Sequence, residues 1–253
     1  MHKFIVTLFL TIILNLLRAE ADTWEELHAR GLIEGKNYQI SSGTGFFVSQ
    51  NYFITNAHVM QNCINISVRG SIAPSAANLV AIDTKHDLAL LYTGSQAKRI
   101  AYFRSNDGMA VNDILYIIGY PLKHADTGDY VTAAARLISI DDQQVGRATR
   151  LEFTAAIEHG NSGGPLIDSF GNVVGVIQGK KNYYHLAANN SEIPEGETPF
   201  QVNGLAIGLG FVQNFLFENH VYYLTAPSFQ VAANFNPLVI AQDFIVNVHC
   251  VHE

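Results

Sequence analysis

With 253 residues, 48% of them hydrophobic and 15% charged, the chain can bury one large or two small cores, which excludes a disordered polypeptide. Its formal net charge is −7 and no basic cluster interrupts it, which argues against a nucleic-acid backbone as the main partner. Twenty glycines and mostly short apolar runs favour many strands and turns over long helices.

The first residues, MHKFIVTLFLTIILNLLRAEADTW, read as an export signal. Lys3 supplies the positive start, Phe4 to Leu17 form an uncharged stretch too short for a comfortable membrane span, and Ala19 and Ala21 offer the small residues of a cleavage site. An uncleaved anchor and an ordinary buried helix are the alternatives. Residues 1–21 are therefore assigned to a signal peptide. The expected product is periplasmic or extracellular and has no stable membrane span.

Residues 22–41 form a polar N-terminal segment with a short helix expected over Trp24 to Ala29. From Thr44 the chain becomes short strands with punctuation: GFFVS and YFIT around Gln50-Asn51, then INISVRG, ANLVAID and DLALLYT. A second set follows Gly108, comprising DILYIIG, DYVTAAARLISI, RLEFTAA, PLID, NVVGVIQG and NGLAIGLGF. Two groups of about half a dozen strands without long helices between them suggest two β-barrels or sandwiches, here placed at 42–105 and 106–224. Val212, Phe215 and Leu216 at i, i+3 and i+4 predict a short terminal helix.

Residues 180–201 read as a long polar loop, for which a surface excursion and a recognition role are both open. The rest, 225–253, reads as a C-terminal tail with a possible extra strand in FIVNVHCVHE. In an extended strand His249 and Cys250 point to opposite faces, so no metal site is expected there, and no cofactor is called for. The two cysteines, Cys63 and Cys250, could pair in an oxidising compartment or remain two buried thiols.

Three short segments carry chemistry. ITNAHV sets His58 directly after a strand, HDLALL opens an apolar strand with Asp87, and GNSGGPL holds Ser162 among glycines. A serine hydroxyl needs a base to take its proton during attack, and histidine suits that task near neutral pH. The imidazole in turn needs a carboxylate on its other nitrogen to fix the tautomer. Sharp glycine-rich turns let backbone N–H groups converge on an oxyanion, which nominates Gly160 and Ser162.

The segments SGTGFFVSQNYFITNAHV, LVAIDTKHDLALL, ILYIIGYPL and LEFTAAIEHGNSGGPLIDSFGNVVGV resemble chymotrypsin-fold serine proteases, nearest the HtrA/Deg branch of quality-control proteases. The resemblance runs from about Ser42 to Phe211. It implies an all-β, chymotrypsin-like double β-barrel with a short C-terminal helix and tail. His58 and Asp87 would come from the first barrel, and Ser162 with the oxyanion donors from the second. About forty residues follow Phe211, too few for the peptide-binding PDZ domain usual in that branch.

The resemblance also places the base of the primary specificity pocket six residues before the nucleophile, at Ala156, with a wall near Ile177 to Lys180. An uncharged base predicts a small or medium apolar side chain before the scissile bond, and attraction of an acidic one by Lys180 is the alternative. The expectation is an exported serine endopeptidase acting on protein or peptide substrates, its oligomeric state open. The competing reading is a protease-fold binding or chaperone-like protein with little turnover.

Overall fold

The computed structural model describes residues 23, 26–27, 30–105, 108–124, 127–141, 149–154, 157–184, 198–229 and 235–253. The signal peptide, Ala156 and most of the polar loop lie outside the described residues. Of the expected N-terminal helix, Glu26 and Leu27 are described and helical. Thr23 and Glu26 form a reciprocal cap there: Glu26 N donates to Thr23 Oγ1 at 3.1 Å, and Thr23 N to Glu26 Oε2 at 2.7 Å.

The first five strands are β1 (Gln39–Phe47), β2 (Tyr52–Thr55), β3 (Asn65–Gly70), β4 (Ser75–Asp83) and β5 (Leu88–Thr93). A short linking strand, β6 (Tyr102–Arg104), leads to β7 (Ile114–Gly119), β8 (Val131–Asp141), β9 (Arg150–Thr154), β10 (Pro165–Asp168), β11 (Val173–Tyr183) and β12 (Gln201–Gly208). Helix α1 (Leu209–Glu218), strand β13 (Leu224–Ala226), helix α2 (Pro237–Ala241) and strand β14 (Ile245–His252) complete the chain. The start of α2 follows local rules, with Pro237 in its first turn and the Asn236 side chain accepting from Leu238 N at 3.0 Å.

Two closed barrels result. The second runs β10-β7-β8-β9-β12-β11 and closes through β10–β11, with β6 added beside β11 and β13 beside β6. Inward residues alternate along its strands, and Leu115, Ile117, Leu137, Leu151, Phe153 and Leu166 fill it. The first runs β1-β14-β3-β4-β5-β2 and closes through β1–β2.

That order corrects the reading of 225–253 as a tail and of the first barrel as ending by residue 105. β14 lies between β1 and β3, pairing Gln39–Phe46 of β1 with His252–Ile245 and Asn65–Gly70 of β3 with Val251–Val246. Without it β1 and β3 would each expose an unpaired edge, and the barrel would stay open. Its alternation suits the gap: Val246, Val248 and Cys250 join the core, while Asn247 on the other face accepts from the Ser42 hydroxyl at 3.0 Å. The polar loop is also shorter than read, because β11 continues to Tyr183 in ladder with β12.

Cys63 and Cys250 are joined by a disulfide with Cα atoms 5.3 Å apart, closing a sequence separation of 187 residues. Loop-closure entropy for so long a loop is about 5 kcal/mol, and the usual yield is about 2–5 kcal/mol. Replacing both cysteines by serine should lower unfolding free energy by about that smaller range. Denaturant titration of the two proteins checks this, with β14 amides expected to lose hydrogen-exchange protection first.

Candidate active site

The barrels meet along a polar seam made by Thr44 of β1. Its N–H donates to Ser162 O at 2.8 Å and its hydroxyl to Gly160 O at 2.7 Å. The same hydroxyl accepts from Tyr120 N at 2.8 Å, and its own carbonyl accepts from Thr55 Oγ1 at 2.7 Å. Thr44 is fully buried, so none of these groups has water as an alternative partner. One threonine of the first barrel thus fixes the turn of the second barrel that carries Ser162.

Two glycines of that turn are required by contact as well as by conformation. Gly160 has φ +100°, and a Cβ there would lie 2.3 Å from Tyr120 O and 2.6 Å from Leu122 N. Gly163 has φ +82°, and its Cβ would fall 2.1 Å from Thr55 Oγ1 and 2.2 Å from Thr44 O. Both backbones press against neighbouring chain where no side chain fits.

The carbonyl of His159 accepts from Leu122 N at 2.7 Å, and Lys123 Nζ reaches Glu158 Oε1 at 2.6 Å. These contacts hold the 159–160 peptide with its oxygen turned to the 121–124 turn, so the Gly160 N–H faces the opposite way. Neither Gly160 N nor Ser162 N donates to another backbone carbonyl among the described residues. Among the described residues, these two N–H groups of the turn are thus without a backbone partner.

His58 sits on a 3-10 turn, Ala57–Met60, directly after β2, and Asp87 lies immediately before β5. Because β2 and β5 pair, with Thr55 opposite Ala89, the two side chains meet at one end of the first barrel. His58 Nδ1 lies 2.9 Å from Asp87 Oδ2 and 3.0 Å from Oδ1, and His58 N donates to Oδ1 at 3.0 Å. A carboxylate can only accept, so Nδ1 carries the proton and Nε2 is left basic.

Asp87 adopts φ +59°, uncommon for a residue with a side chain. Asn56 Nδ2 holds its carbonyl at 2.9 Å. The preceding turn is clamped by Asp83, whose Oδ1 accepts from Lys85 N and His86 N at 3.0 and 3.1 Å. Asp83 Oδ2 meets His86 Nδ1 at 2.6 Å, and the His86 ring stacks on Phe211 of α1 with centroids 4.1 Å apart. Burial alone would raise the Asp83 carboxyl, but the His86 side chain and the two backbone N–H donors outweigh it and hold it below its ordinary value.

Gln178, to which no motif points, joins the two halves. Its Nε2 donates to Asp87 Oδ2 at 3.3 Å, and its carbonyl accepts the Ser162 hydroxyl at 3.3 Å. The hydroxyl makes no hydrogen bond to the His58 ring among the described residues. Gln178 occupies the bulge where the β11–β12 register shifts between Ile177 and Gly179, a disruption that aims its side chain at the site. Sequence alone could not have found it, since a bulge depends on the partner strand.

Of the expected pocket residues, Ile177 is fully buried in the second core and Lys180 is exposed on β11. Ala156 lies outside the described residues. Among the described residues no group of His, Cys, Asp or Glu could hold a metal ion.

A double β-barrel with an imidazole–carboxylate pair on one barrel and a glycine-bounded serine on the other defines the chymotrypsin-like class. Residues 43–176 match the trypsin-like peptidase domain, and the chain belongs to that family. It is 39% identical over 165 residues to the uncharacterized protein y4bJ of Sinorhizobium fredii, an alignment covering 61% of this chain and 24% of that one. It is 30% identical over 151 residues to the serine protease Rv3671c of Mycobacterium tuberculosis, covering 56% of this chain and 36% of that one. A probable periplasmic serine endoprotease, DegP-like, of Chlamydia pneumoniae is 32% identical over 186 residues, covering 71% of this chain and 33% of the relative. The aligned parts thus span between a quarter and about a third of these relatives' lengths. Among solved structures, the active form of the Rv3671c protease superimposes with a TM-score of 0.55 at 25% identity, covering 75% of this chain and 82% of that one.

The Asp83 clamp has a pH signature. Its carboxyl is depressed in the folded state, so its stabilisation is fully present above the ordinary value of 3.8 and is lost as pH falls through the lower, folded value. The stability difference between wild type and Asp83→Asn should therefore shrink on acidification below about pH 4, in unfolding titrations at stepped pH. At neutral pH, Thr44→Val should cost about 2–3 kcal/mol in the same assay, because it leaves the Gly160 carbonyl and Tyr120 N–H buried without their partner.

Proposed function

We propose that the chain is an exported serine endopeptidase in which Ser162 is the nucleophile, His58 the general base and Asp87 the carboxylate that orients it. The observation that carries this reading is the bridge made by Gln178, which touches Asp87 Oδ2 and the Ser162 hydroxyl at 3.3 Å each. It brings the His58–Asp87 pair, 2.9 Å apart, to a serine whose turn has two N–H groups without a backbone partner among the described residues.

An extended substrate lies along β11 with the N–H of the residue before the scissile bond, P1, on the Gln178 carbonyl. That carbonyl now holds the Ser162 hydroxyl at 3.3 Å, so substrate takes its place and the hydroxyl turns to His58. Oγ attacks the P1 carbonyl carbon while its proton passes to Nε2. The electron pair of the carbonyl moves onto oxygen, where the Gly160 and Ser162 N–H groups stabilise it. Collapse breaks the C–N bond, His58 gives its proton to the leaving amine, and water then repeats the sequence to release the acid.

Export is supported by the N-terminal hydrophobic stretch and by the periplasmic names of DegP-like relatives. Among the described residues no helix is long and apolar enough to cross a membrane. The family resemblance assigns the base of the primary specificity pocket to Ala156, and an uncharged residue there favours a small or medium apolar P1 side chain.

The chain beginning at Asp22 and its Ser162→Ala form test the reading. Wild type should react with a fluorophosphonate and degrade denatured casein, while Ser162→Ala should do neither, with turnover at least about 10⁴-fold lower. A wild type inert to both across about pH 6 to 9 would return the fold to the binding or chaperone-like reading. Cleavage mainly after Lys or Arg would sink the apolar P1 assignment alone.

A further inference from the structure

The edge of β11 next to Ser162 has a direction and a register that bear on substrate choice, given the endopeptidase reading on which this inference rests. On one side β11 pairs with β12 from Gly175 to Tyr183. On the other side Val173, Gly175 and Val176 pair with β10, while Ile177 exchanges bonds with Gly163 and Gly164. From Gln178 onward that second edge has no strand partner among the described residues.

The scissile carbonyl must lie at Ser162 Oγ, 3.3 Å from Gln178 O, so P1 lies opposite Gln178. A substrate running parallel to β11 would place its preceding residues against Val176, which Pro165 already occupies. Running antiparallel, it meets the open edge instead, and the residue two before P1, termed P3, falls opposite Lys180. Residues directly opposite on antiparallel strands carry their side chains on the same face, near enough for charges to interact.

The two adjacent lysines differ in what surrounds them. Lys181 is engaged on one face, its Nζ 3.3 Å from Glu152 Oε2 and 4.8 Å from the Tyr183 ring centroid. Glu152 also accepts from Asn203 Nδ2 at 2.5 Å and from the Tyr183 hydroxyl, so that network is closed on itself. Lys180 points the other way. It lies opposite Gly204, which lies opposite Phe153 of the second core, so it stands on the interior side of the sheet at the barrel mouth. Gly204 offers no side chain there, and the Phe153 ring lies within 2.3 Å of where its Cβ would be. Lys180 is exposed and its ammonium makes no ion pair among the described residues. It is a cation placed where a substrate side chain would lie.

We propose that Lys180 is a specificity-determining residue that selects an acidic side chain at P3, so that preferred substrates carry Asp or Glu two residues before an apolar P1. The interaction is an exposed cross-strand charge pair. It should favour Asp or Glu over Lys at P3 by about three- to five-fold in kcat/KM at low salt, and less at high salt.

A peptide library varied at P3 with P1 fixed and a second varied at P1 with P3 fixed, each digested by wild type, Lys180→Gln and Lys180→Glu, test the proposal. Wild type should favour acidic P3, Lys180→Gln should show a flat profile, and Lys180→Glu should prefer Lys or Arg, all with unchanged P1 preference. An identical P3 profile in all three, or an acidic preference that tracks P1, overturns the proposal while leaving the endopeptidase reading intact. Absence of both cleavage and fluorophosphonate labelling in wild type sinks that reading and this inference with it.

Discussion

The geometry of the site depends on one buried side chain, Thr44. The two barrels are separate cores, yet the imidazole–carboxylate pair stands on one and the serine turn on the other. Their relative placement has to hold to a fraction of an ångström for chemistry of this kind. Thr44 joins them by donating from both its N–H and its hydroxyl to carbonyls on either side of Asn161, while the same hydroxyl accepts from Tyr120 N. A valine would fill the same space and fold the same strand, but it would leave a carbonyl and an N–H buried without partners. Gly163 completes the seam by letting the serine turn approach Thr44 O and Thr55 Oγ1 more closely than any side chain would permit.

The first barrel has a second dependence, on chain order. Its sixth strand arrives last, 245–252, between strands made at 39–47 and 65–70. Closure of that barrel therefore needs a strand that follows the whole second barrel in the chain, and the contacts that close it are among the most distant in sequence. Loop-closure entropy opposes such pairing, and the Cys63–Cys250 bond offsets it at the same place, tying β14 to the segment just after the His58 turn.

Much of this was legible in the residues. The alternation in GFFVS, YFIT, DILYIIG and NVVGVIQG marks strands because one face of each is buried. The glycines around Ser162 announce a turn that other residues cannot make. His58 and Asp87 sit in motifs that end one strand and open its neighbour, and the pairing of those strands brings them into contact. What was not legible depends on partners distant in the chain. FIVNVHCVHE alternates like any half-buried strand, but nothing local says that it belongs between β1 and β3. Gln178 looks like the middle of a strand, and only the register shift against β12 turns it toward Asp87. Lys180 and Lys181 fall on opposite faces of any strand, and only the pairing with Gly204 and Asn203 says which of them is on the interior side.

Gln178 touches both halves of the proposed machinery. Its side chain gives the Asp87 carboxylate a donor beyond those supplied by His58, and its carbonyl holds the serine hydroxyl. In the proposed mechanism these two contacts have opposite fates. The donation to Asp87 is useful throughout, since it fixes the carboxylate while His58 gains and loses a proton. The bond from Ser162 is useful only at rest, since the same carbonyl is where the P1 N–H has to bind. Substrate therefore removes the one acceptor that keeps the hydroxyl away from His58, at the moment when the scissile carbonyl comes within reach. On that proposal the nucleophile is poised by pairing of the substrate backbone, and a peptide that fails to seat on the β11 edge leaves it turned aside.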